Sequence, residues 1–505
     1  SHRALDDTKL THAVLHALYQ KMLDLPIEFL AEVVRMSEAV DWDGATMFQQ
    51  ALQEKGRMPV QAKKVWQDDF GLLFGGAVSL PPLIPAETPE PLNADEMAAM
   101  IEHGGPFARY FENFESRPQQ IEMLRAVSDA LSESKHMMVE AGTGTGKSFA
   151  YLIPAVEWAL KNSMRVVIST NTITLQDQLI KKDIPDLAAA LNSDVRAVVV
   201  KGRGNYLCPR RLEALRKIGP QNADELRVMA KVMVWLQQGG SGDRSEINLN
   251  GPYEREVWSR LSAEDEGCKA EVCMSRTGGV CPFYKTHMAA QSAHILVVNH
   301  ALLLADIMTG SRVLPEYDYL IVDEAHHLES ASTSALSFRI TQTDFVRMLR
   351  EIGSTSSGMV GRLLGLLSHS LPPSELASLN MAGHKIADLL FRLENDFSDF
   401  IKTLSLFMED MREGQPVSNY GQQTRIQPAT RTLPAWSEVE IAWDNTSGSA
   451  SAALSLVNDF HKAVSDALGH PAEDIEDTLG SLASVNRRLM ESVDYLNKMV
   501  MEPDE

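Results

Sequence analysis

The chain has 505 residues, of which 44% are hydrophobic and 23% are charged. This composition is ordinary for a globular protein, and the length predicts several domains. No apolar run approaches the roughly 18 residues that a membrane-spanning helix needs, so we expect no membrane-embedded segment. A formal net charge of −21 disfavours a nucleic-acid partner unless Lys and Arg cluster locally.

The N-terminus and the cysteine content indicate where the protein resides. The first ten residues, SHRALDDTKL, include no methionine and neither the basic nor the apolar stretch of a signal peptide. We therefore expect the interior of a longer cytoplasmic protein, monomeric and without a membrane partner. The four cysteines all lie between positions 208 and 281. An intracellular protein with such a group more often uses it to bind metal than to form disulfides.

Hydrophobic periodicity predicts the fold class. Apolar residues repeat at helical spacing over 1–58, and a proline-rich stretch at 80–93 then predicts a linker or an extended strap. Helical patterns return from residue 95. Short apolar runs then alternate with helical stretches, at 136–141, 165–170, 195–200, 294–300 and 319–325. This alternation predicts an α/β fold with a parallel sheet covered by helices on both faces.

The long gap between the runs that end at 200 and begin at 294 contains every cysteine, which predicts an insertion in the sheet domain. A basic stretch at the start of this gap, KGRGNYLCPRRLEALRK (201–217), predicts contacts with nucleic-acid phosphates. Beyond residue 335 no strand pattern remains. Amphipathic helical patterns continue there, interrupted by a polar, turn-rich stretch at 413–450.

A glycine-rich segment, VEAGTGTGKSFAYLIPA (139–155), stands between the first predicted strand and a helical pattern. Glycine lets backbone N–H groups turn toward an anion, and the following helix adds its positive end. We expect Lys147 to neutralise the β- and γ-phosphates of a nucleotide and Ser148 to ligate Mg²⁺. The alternative, a glycine-rich turn with a solvated lysine, is disfavoured by the flanking strand and helix. The predicted phosphate-binding residues are Ala141, Gly142, Thr143, Gly144, Thr145, Gly146, Lys147 and Ser148.

Two carboxylates follow the last predicted strand, in YLIVDEAHHLE (319–329). We expect Asp323 to hold Mg²⁺ and Glu324 to orient or deprotonate the attacking water. These two residues and Lys147 form the predicted catalytic set. The alternative is that the acids only favour the dipole of a following helix, which the preceding phosphate loop makes the weaker explanation.

These two segments resemble those of a known superfamily. The form A-x-x-G-x-G-K-S, with Ala141 in place of the first glycine of the usual phosphate loop, is typical of helicases. The run Asp323-Glu324-Ala325-His326 resembles the DEAH box of superfamily-two helicases. The resemblance implies that His326 couples the nucleotide state to the rest of the motor. It also implies that Gln120, in the upstream stretch RPQQIEM, reads the adenine base.

The cysteines are one distant residue, Cys208, followed by a cluster of three, Cys268, Cys273 and Cys281. Thiolates on loops at these positions can converge on one metal centre. A structural zinc site would also use four thiolates, although such sites usually have paired C-x₂₋₄-C knuckles. Disulfides are disfavoured inside cells, and unpaired buried thiols would be expected to scatter along the chain.

This cysteine arrangement lies between the phosphate loop and the DEAH box, with GRGNYLCPRR, CPFY and VVNHALLL nearby. Over roughly residues 95–505 the chain resembles the iron–sulfur helicases of the DinG/XPD type, in particular their bacterial DinG branch. The resemblance implies a RecA-like P-loop motor domain and a helical arch domain. It implies a 4Fe–4S cluster ligated by Cys208, Cys268, Cys273 and Cys281. It also implies ATP with Mg²⁺ as cofactor, single-stranded and forked DNA as partners, and 5′–3′ unwinding in DNA repair or replication.

The pair His2-x₄-Asp7 resembles the last motif of DEDDh-type 3′–5′ exonucleases, which precede some DinG-type helicases. A capped helix start is the alternative. The predicted domains are an exonuclease-like remnant at 1–60, a proline-rich linker at 61–94, a first motor domain at 95–335 with the Fe–S insertion at about 203–290, and an incomplete helical arch domain at 336–505.

Two further classes of function remain open from the sequence. One is a DNA-structure-binding module whose nucleotide fold is only a scaffold, and the second is a nuclease whose helicase-like region positions DNA. The sequence contains no second motor domain, so we expect this chain to bind ATP but to hydrolyse it poorly.

Overall fold

The computed structural model describes residues 4–56 and 80–502, apart from gaps at 113, 143, 221, 265–267, 269–272, 274–276, 278–279, 312, 369, 413–424 and 469–471. The chain divides into two compact units. The first contains Ser1–Glu264 and Cys268–Leu336, and the second contains Ser337–Glu505. None of the helices in the described ranges is both long and apolar enough to cross a bilayer.

The first unit is built on a parallel sheet of four described strands in the order β2–β3–β1–β4. The strands are β1 (Val166–Thr170), β2 (Ala197–Val199), β3 (Ile295–Asn299) and β4 (Tyr319–Val322). Val166 on β1 lies opposite both Ile295 and Tyr319, so β3 and β4 flank it in matching register. The predicted α/β fold with a parallel sheet is confirmed.

Helices make up most of the remaining described chain. In the first unit they are α1 (Ala4–Asp24), α2 (Ile27–Ser37), α3 (Ala45–Gly56), α4 (Ala94–Met100), α5 (Pro106–Tyr110), α6 (Pro118–Ser132), α7 (Lys147–Asn162), α8 (Ile173–Gln178), α9 (Ile184–Leu191), α10 (Pro209–Ile218), α11 (Ala223–Gln237), α12 (Gly251–Leu261), α13 (Pro282–Gln291), α14 (His300–Met308) and α15 (Leu328–Leu336). In the second unit they are α16 (Gln342–Ile352), α17 (Gly358–Leu367), α18 (Pro373–Asp410), α19 (Pro428–Arg431), α20 (Trp436–Leu468) and α21 (Glu473–Met501).

Both faces of the sheet are covered by helices. Side chains alternate between the two faces along a strand, and the residues of β1 follow this rule. Val166 and Ile168 pack in one core cluster with Trp158 of α7. Val167 packs in another cluster with Leu302 of α14. This double burial explains why the strand sequences read as continuous apolar runs.

The run at 136–141 is not a strand of this sheet, contrary to the sequence prediction. Its residues lack regular secondary structure and are largely exposed, and Met138 keeps 98% of its surface accessible. Among the described residues, β4 pairs only with β1 and so forms an edge of the sheet. An apolar run becomes a strand only when its backbone pairs with a neighbouring strand and its side chains pack in a core. The local sequence pattern specifies neither of these contacts.

The proline-rich stretch at 80–93 lies as an irregular strap against α7 and α6. Ala86 donates its backbone N–H to the Asn162 carbonyl at 3.0 Å, and Glu90 donates to Asn162 Oδ1 at 2.7 Å. The Leu92 N–H donates to Ser132 Oγ at 2.9 Å. Proline has no backbone N–H, so this segment cannot form a regular strand ladder. Its remaining N–H groups donate instead to side chains and helix ends of α6 and α7.

Helices α1–α3 share one hydrophobic core with the insertion that follows β2. Phe29 of α2 is fully buried in the cluster that contains Met229 of α11. Glu32 of α2 also pairs with Arg216 of α10, with 3.3 Å between Oε1 and Nη2. The N-terminal helices therefore pack on the cysteine-bearing insertion.

The second unit is helical, and its core lies among α16–α18, α20 and α21. Phe345 and Phe397 stack in this core with ring centroids 3.8 Å apart. The buried Trp443 donates its indole N–H to Asn497 Oδ1 at 3.0 Å, which joins α20 to α21. The amphipathic patterns beyond residue 335 thus bury their apolar faces against one another.

Candidate functional site

The glycine-rich segment forms an open loop that leads directly into α7. Gly144 and Gly146 both adopt φ of +81°, a backbone conformation that residues with a side chain rarely tolerate. Thr145 Oγ1 donates to the Gly142 carbonyl at 2.9 Å and closes the turn. Apart from the glycines themselves and their chain neighbours, no described residue has an atom within 4 Å of the position that a Cβ would take at Gly142 or Gly144. The loop and the helix N-terminus therefore present an accessible surface to an anion.

Side chains at the start of helix α6 donate hydrogen bonds to this loop. Gln120 Nε2 donates to the Gly146 carbonyl at 2.9 Å, and a Cβ at Gly146 would lie 2.3 Å from that nitrogen. Only glycine therefore permits this contact. Arg117 Nη1 donates to the Gly144 carbonyl at 2.5 Å. Gln120 is 8% exposed and its amide nitrogen is engaged by the loop, while the adenine-reading role stays a prediction.

The DEAH run begins where β4 leaves the sheet. The Asp323 N–H donates to the Ser169 carbonyl of β1 at 2.8 Å. Glu324 then takes φ of +55°, a left-handed conformation that is uncommon for a residue other than glycine. This turn places Glu324 Oε1 3.4 Å from Lys147 Nζ. The structure thus brings together Lys147, Asp323 and Glu324, the three residues of the predicted catalytic set.

Two histidines lie around this turn. His326 is exposed at 65% of its side-chain surface, and its Nδ1 lies 3.4 Å from Glu324 Oε2. His300, the first residue of α14, is buried and its Nδ1 contacts Ser169 Oγ at 2.8 Å. Burial lowers the pKa of His300, which favours its neutral form. The coupling role of His326 stays a prediction.

The four cysteines lie within one region of the insertion. Cys208, Cys273 and Cys281 are buried, Cys268 is partly buried, and none forms a disulfide. Cys208 and Cys281 stand immediately before α10 and α13. The sulfur atoms of Cys268 and Cys273 are 3.7 Å apart. The thiols are close enough for the charge on one to influence the pKa of another.

The chemistry of these thiols fits a metal centre better than their spacing does. Burial raises the pKa of Cys208, and it raises the pKa of Cys281 to about 11. A buried thiolate needs a compensating cation, which a bound metal supplies. Within the described ranges, however, no three His, Cys, Asp or Glu side chains stand at metal-binding spacing. The Cys268–Cys273 separation is also close to the roughly 3.8 Å between two thiolates on one tetrahedral zinc, so these two sulfurs would have to separate to bind different irons of a cluster.

Comparison with known proteins relates both segments of the candidate site to helicases. The DEAD/DEAH box helicase family model matches residues 117–207, and the DEAD_2 family model matches residues 264–345. The chain is 29% identical over 376 residues to the "3'-5' exonuclease DinG" of Bacillus subtilis, covering 74% of this chain and 39% of that protein. It is 35% identical over 254 residues to the "ATP-dependent helicase DinG" of Mycobacterium tuberculosis, covering 47% of this chain and 38% of that protein.

A third relative is the "ATP-dependent DNA helicase YoaA" of Escherichia coli, 31% identical over 261 residues, covering 49% of this chain and 39% of that protein. This chain is thus similar to proteins named as DinG and YoaA helicases. It spans about two fifths of the length of these relatives.

Several cations of the basic stretch at 201–217 have internal partners, and contact of this stretch with nucleic-acid phosphates stays a prediction. Lys201 is 4% exposed and its Nζ lies 2.7 Å from Asp243 Oδ2. Arg211 Nη1 lies 3.3 Å from the carbonyls of Ser259 and Ser262 at the end of α12. Charge counting along the sequence could not reveal these partners, because they lie tens of residues away.

Tyr151 is a residue of the candidate site that the sequence analysis missed. It is buried in α7 and donates its hydroxyl to Asp323 Oδ2 at 2.9 Å. Tyr151 lies four positions after Lys147, so both side chains lie on the same face of the helix. This spacing from the phosphate-loop lysine is the signal that could have identified it.

Three further predicted residues are Thr143, His2 and Asp7, of which the structure describes only Asp7. Thr143 and His2 lie outside the described residues. Asp7 is exposed in the first turn of α1, and its backbone carbonyl accepts a hydrogen bond from Thr11 Oγ1 at 2.9 Å. The exonuclease motif therefore stays a prediction.

Proposed function

We propose that this chain carries the nucleotide-binding part of an ATP-dependent DNA helicase, in which ATP hydrolysis drives movement along DNA. The observation that carries this proposal is the 3.4 Å approach of Lys147 Nζ to Glu324 Oε1 across the open glycine-rich loop. A cation at the loop and a carboxylate at a strand end are the two groups that phosphoryl transfer to water requires. The similarity to proteins named as ATP-dependent helicases supports the same activity.

The residues of the site take distinct roles in this proposal. The backbone N–H groups between Ala141 and Ser148 would face the phosphates, and Lys147 would exchange its contact with Glu324 for the β- and γ-phosphates. That exchange leaves Glu324 free to accept a hydrogen bond from the attacking water. Ser148 and Asp323 would hold Mg²⁺, which neutralises developing charge on the phosphate oxygens when bound. Gln120 would contact adenine, and His326 would couple the occupied site to the rest of the motor.

We propose that the insertion holds a 4Fe–4S cluster ligated by Cys208, Cys268, Cys273 and Cys281. Three buried thiols and a fourth at 3.7 Å from one of them provide the donor chemistry that such a cluster uses. Arg210 Nη1 lies 3.7 Å from Cys273 Sγ, and a hydrogen bond to sulfur of this kind tunes iron–sulfur centres. The side chains would have to move apart to accommodate a cluster.

The remaining assignments follow from the DinG-type relationship. We propose that residues 95–335 form the first motor domain and that the helical unit after 336 is an arch domain. Single-stranded and forked DNA would be the partners, with 5′–3′ movement in repair or replication by a monomeric protein. The relative from Bacillus subtilis is named as a 3′–5′ exonuclease, which supports an exonuclease-like portion around His2 and Asp7.

The test measures nucleotide binding and DNA-stimulated hydrolysis with the full-length natural protein. Lys147→Ala should weaken ATP binding roughly 10- to 150-fold, because a charge-assisted contact contributes about 1.5–3 kcal/mol. Lys135→Ala is the matched control, since Lys135 is 69% exposed and lies on the segment that precedes the loop. Equal calorimetric affinity of the wild type and Lys147→Ala would overturn the assignment of the site. Hydrolysis that single-stranded DNA does not stimulate would overturn the helicase function.

A further inference from the structure

Tyr151 connects the first turns of α7 to the DEAH run. Its side chain is 3% exposed, and its hydroxyl is 2.9 Å from Asp323 Oδ2. Asp323 Oδ1 accepts the Glu324 N–H at 3.0 Å. Both oxygens of this carboxylate thus have a fixed donor, and each keeps a lone pair for another ligand. The carboxylate is therefore oriented before any cation arrives.

The Tyr151 hydroxyl has only one role available toward this carboxylate. An ionised carboxylate has no hydrogen to donate, so the Tyr151 hydroxyl is the donor in this contact. One buried hydroxyl thus holds Asp323, a residue assigned to the cation under the proposed function.

We propose that Tyr151 is a positioning residue that orients Asp323 and thereby sets how strongly a divalent cation binds with the nucleotide. This inference rests on the proposed function. Partners behind a metal-binding carboxylate fix its direction, and their removal typically weakens metal binding 10- to 100-fold. A tyrosine that merely packs α7 against β4 would instead affect only the stability of the unit.

The variant Tyr151→Phe separates these roles because it removes the hydroxyl and keeps the ring. Calorimetry would measure the affinity for a non-hydrolysable ATP analogue in excess Mg²⁺ and again in EDTA. The ratio of the two affinities reports what the cation contributes. We expect this ratio to fall 10- to 100-fold in the variant, with the affinity in EDTA unchanged within twofold. The measurement is repeated with Mn²⁺ in place of Mg²⁺, because the two cations differ in their ligand preferences. The ratio of the affinity in Mn²⁺ to that in EDTA should also differ between the variant and the wild type.

Two controls make the result specific. Tyr110→Phe removes another hydroxyl of the first unit, which contacts Asp186 Oδ1 at 3.4 Å, and should leave the ratio unchanged. Because Tyr151 acts through Asp323, Tyr151→Phe should have little further effect on the ratio in an Asp323→Asn background.

An unchanged ratio in Tyr151→Phe, or an equal loss in Mg²⁺ and in EDTA, would overturn the proposal. Failure of the proposed function would be a separate outcome. In that case Lys147→Ala and the wild type would bind the ATP analogue with equal affinity in EDTA.

Discussion

Lys147 and Glu324 face each other at the centre of the candidate site, with 3.4 Å between Nζ and Oε1. Their side chains are 32% and 30% exposed, so a ligand can reach both. An ion pair at this exposure contributes about 0.2–1 kcal/mol, which is small enough for a phosphate group to displace it. Glu324 and a phosphate group would therefore compete for the same loop cation.

The first prediction concerns Glu324→Gln. Removing the carboxylate frees Lys147 from its partner, so nucleotide affinity should rise about two- to fivefold, and hydrolysis should stop because an amide cannot act as a base. Calorimetry and a phosphate-release assay measure the two effects. Glu329→Gln, in the first turn of α15, is the control and should change neither. Weaker nucleotide binding by Glu324→Gln would show that the ion pair is not a competitor of the phosphates.

The second prediction concerns the cysteines. Protein purified without oxygen should be brown and contain about four irons per chain, and Cys208→Ser should lose iron because a thiolate ligand is missing. Cys208 is the residue immediately before α10, so its release should loosen the insertion, and proteolysis at 200–290 should accelerate while nucleotide affinity persists. Met288→Ser is the control, since it adds a hydroxyl at an exposed position of α13 without removing a thiol. Stoichiometric zinc without iron would favour a structural zinc site, and full iron content in Cys208→Ser would contradict a single four-thiol site.

The third prediction concerns the basic stretch. Arg211 donates to the carbonyls at the end of α12, so Arg211→Glu should destabilise the insertion by about 1–3 kcal/mol, because it leaves these carbonyls unpaired beside a carboxylate. Lys217→Glu, at a side chain that is 65% exposed, should change stability by less than about 0.5 kcal/mol. Thermal unfolding measures both. If Arg211→Glu kept its melting temperature but lost single-strand affinity at low salt, Arg211 would be a phosphate contact instead.

The fourth prediction concerns the N-terminal helices. Phe29→Ala should destabilise the shared core by about 3–5 kcal/mol, because the ring is fully buried. Hydrogen exchange should then accelerate in α2 and in α11 together, since both line the same cluster. Leu18→Ala on α1 is the matched control, since Leu18 is 56% exposed. Faster exchange confined to α2 would mean that the two regions are not one cooperative unit.

Much of the sheet and of the nucleotide site could be predicted from local sequence. The runs at 165–170, 195–200, 294–300 and 319–325 correspond to β1, β2, β3 and β4, because buried parallel strands are continuous apolar runs. The glycine-rich loop and the DEAH run were also identified, since their chemistry depends on residue types at fixed spacing within a few positions. The DEAH run follows the end of β4, and α7, which packs against β1, holds the glycine-rich loop beside it.

Only the tertiary structure decided which groups each of these residues meets. Tyr151 and Asp323 are 172 positions apart, and no local pattern links them. The run at 136–141 has the composition of a strand but remains outside the sheet, and the cations at 201–217 have internal partners. Sequence periodicity and residue type determine secondary structure and the available donors and acceptors. Pairing and burial depend on contacts between distant segments, which form only when the chain has folded.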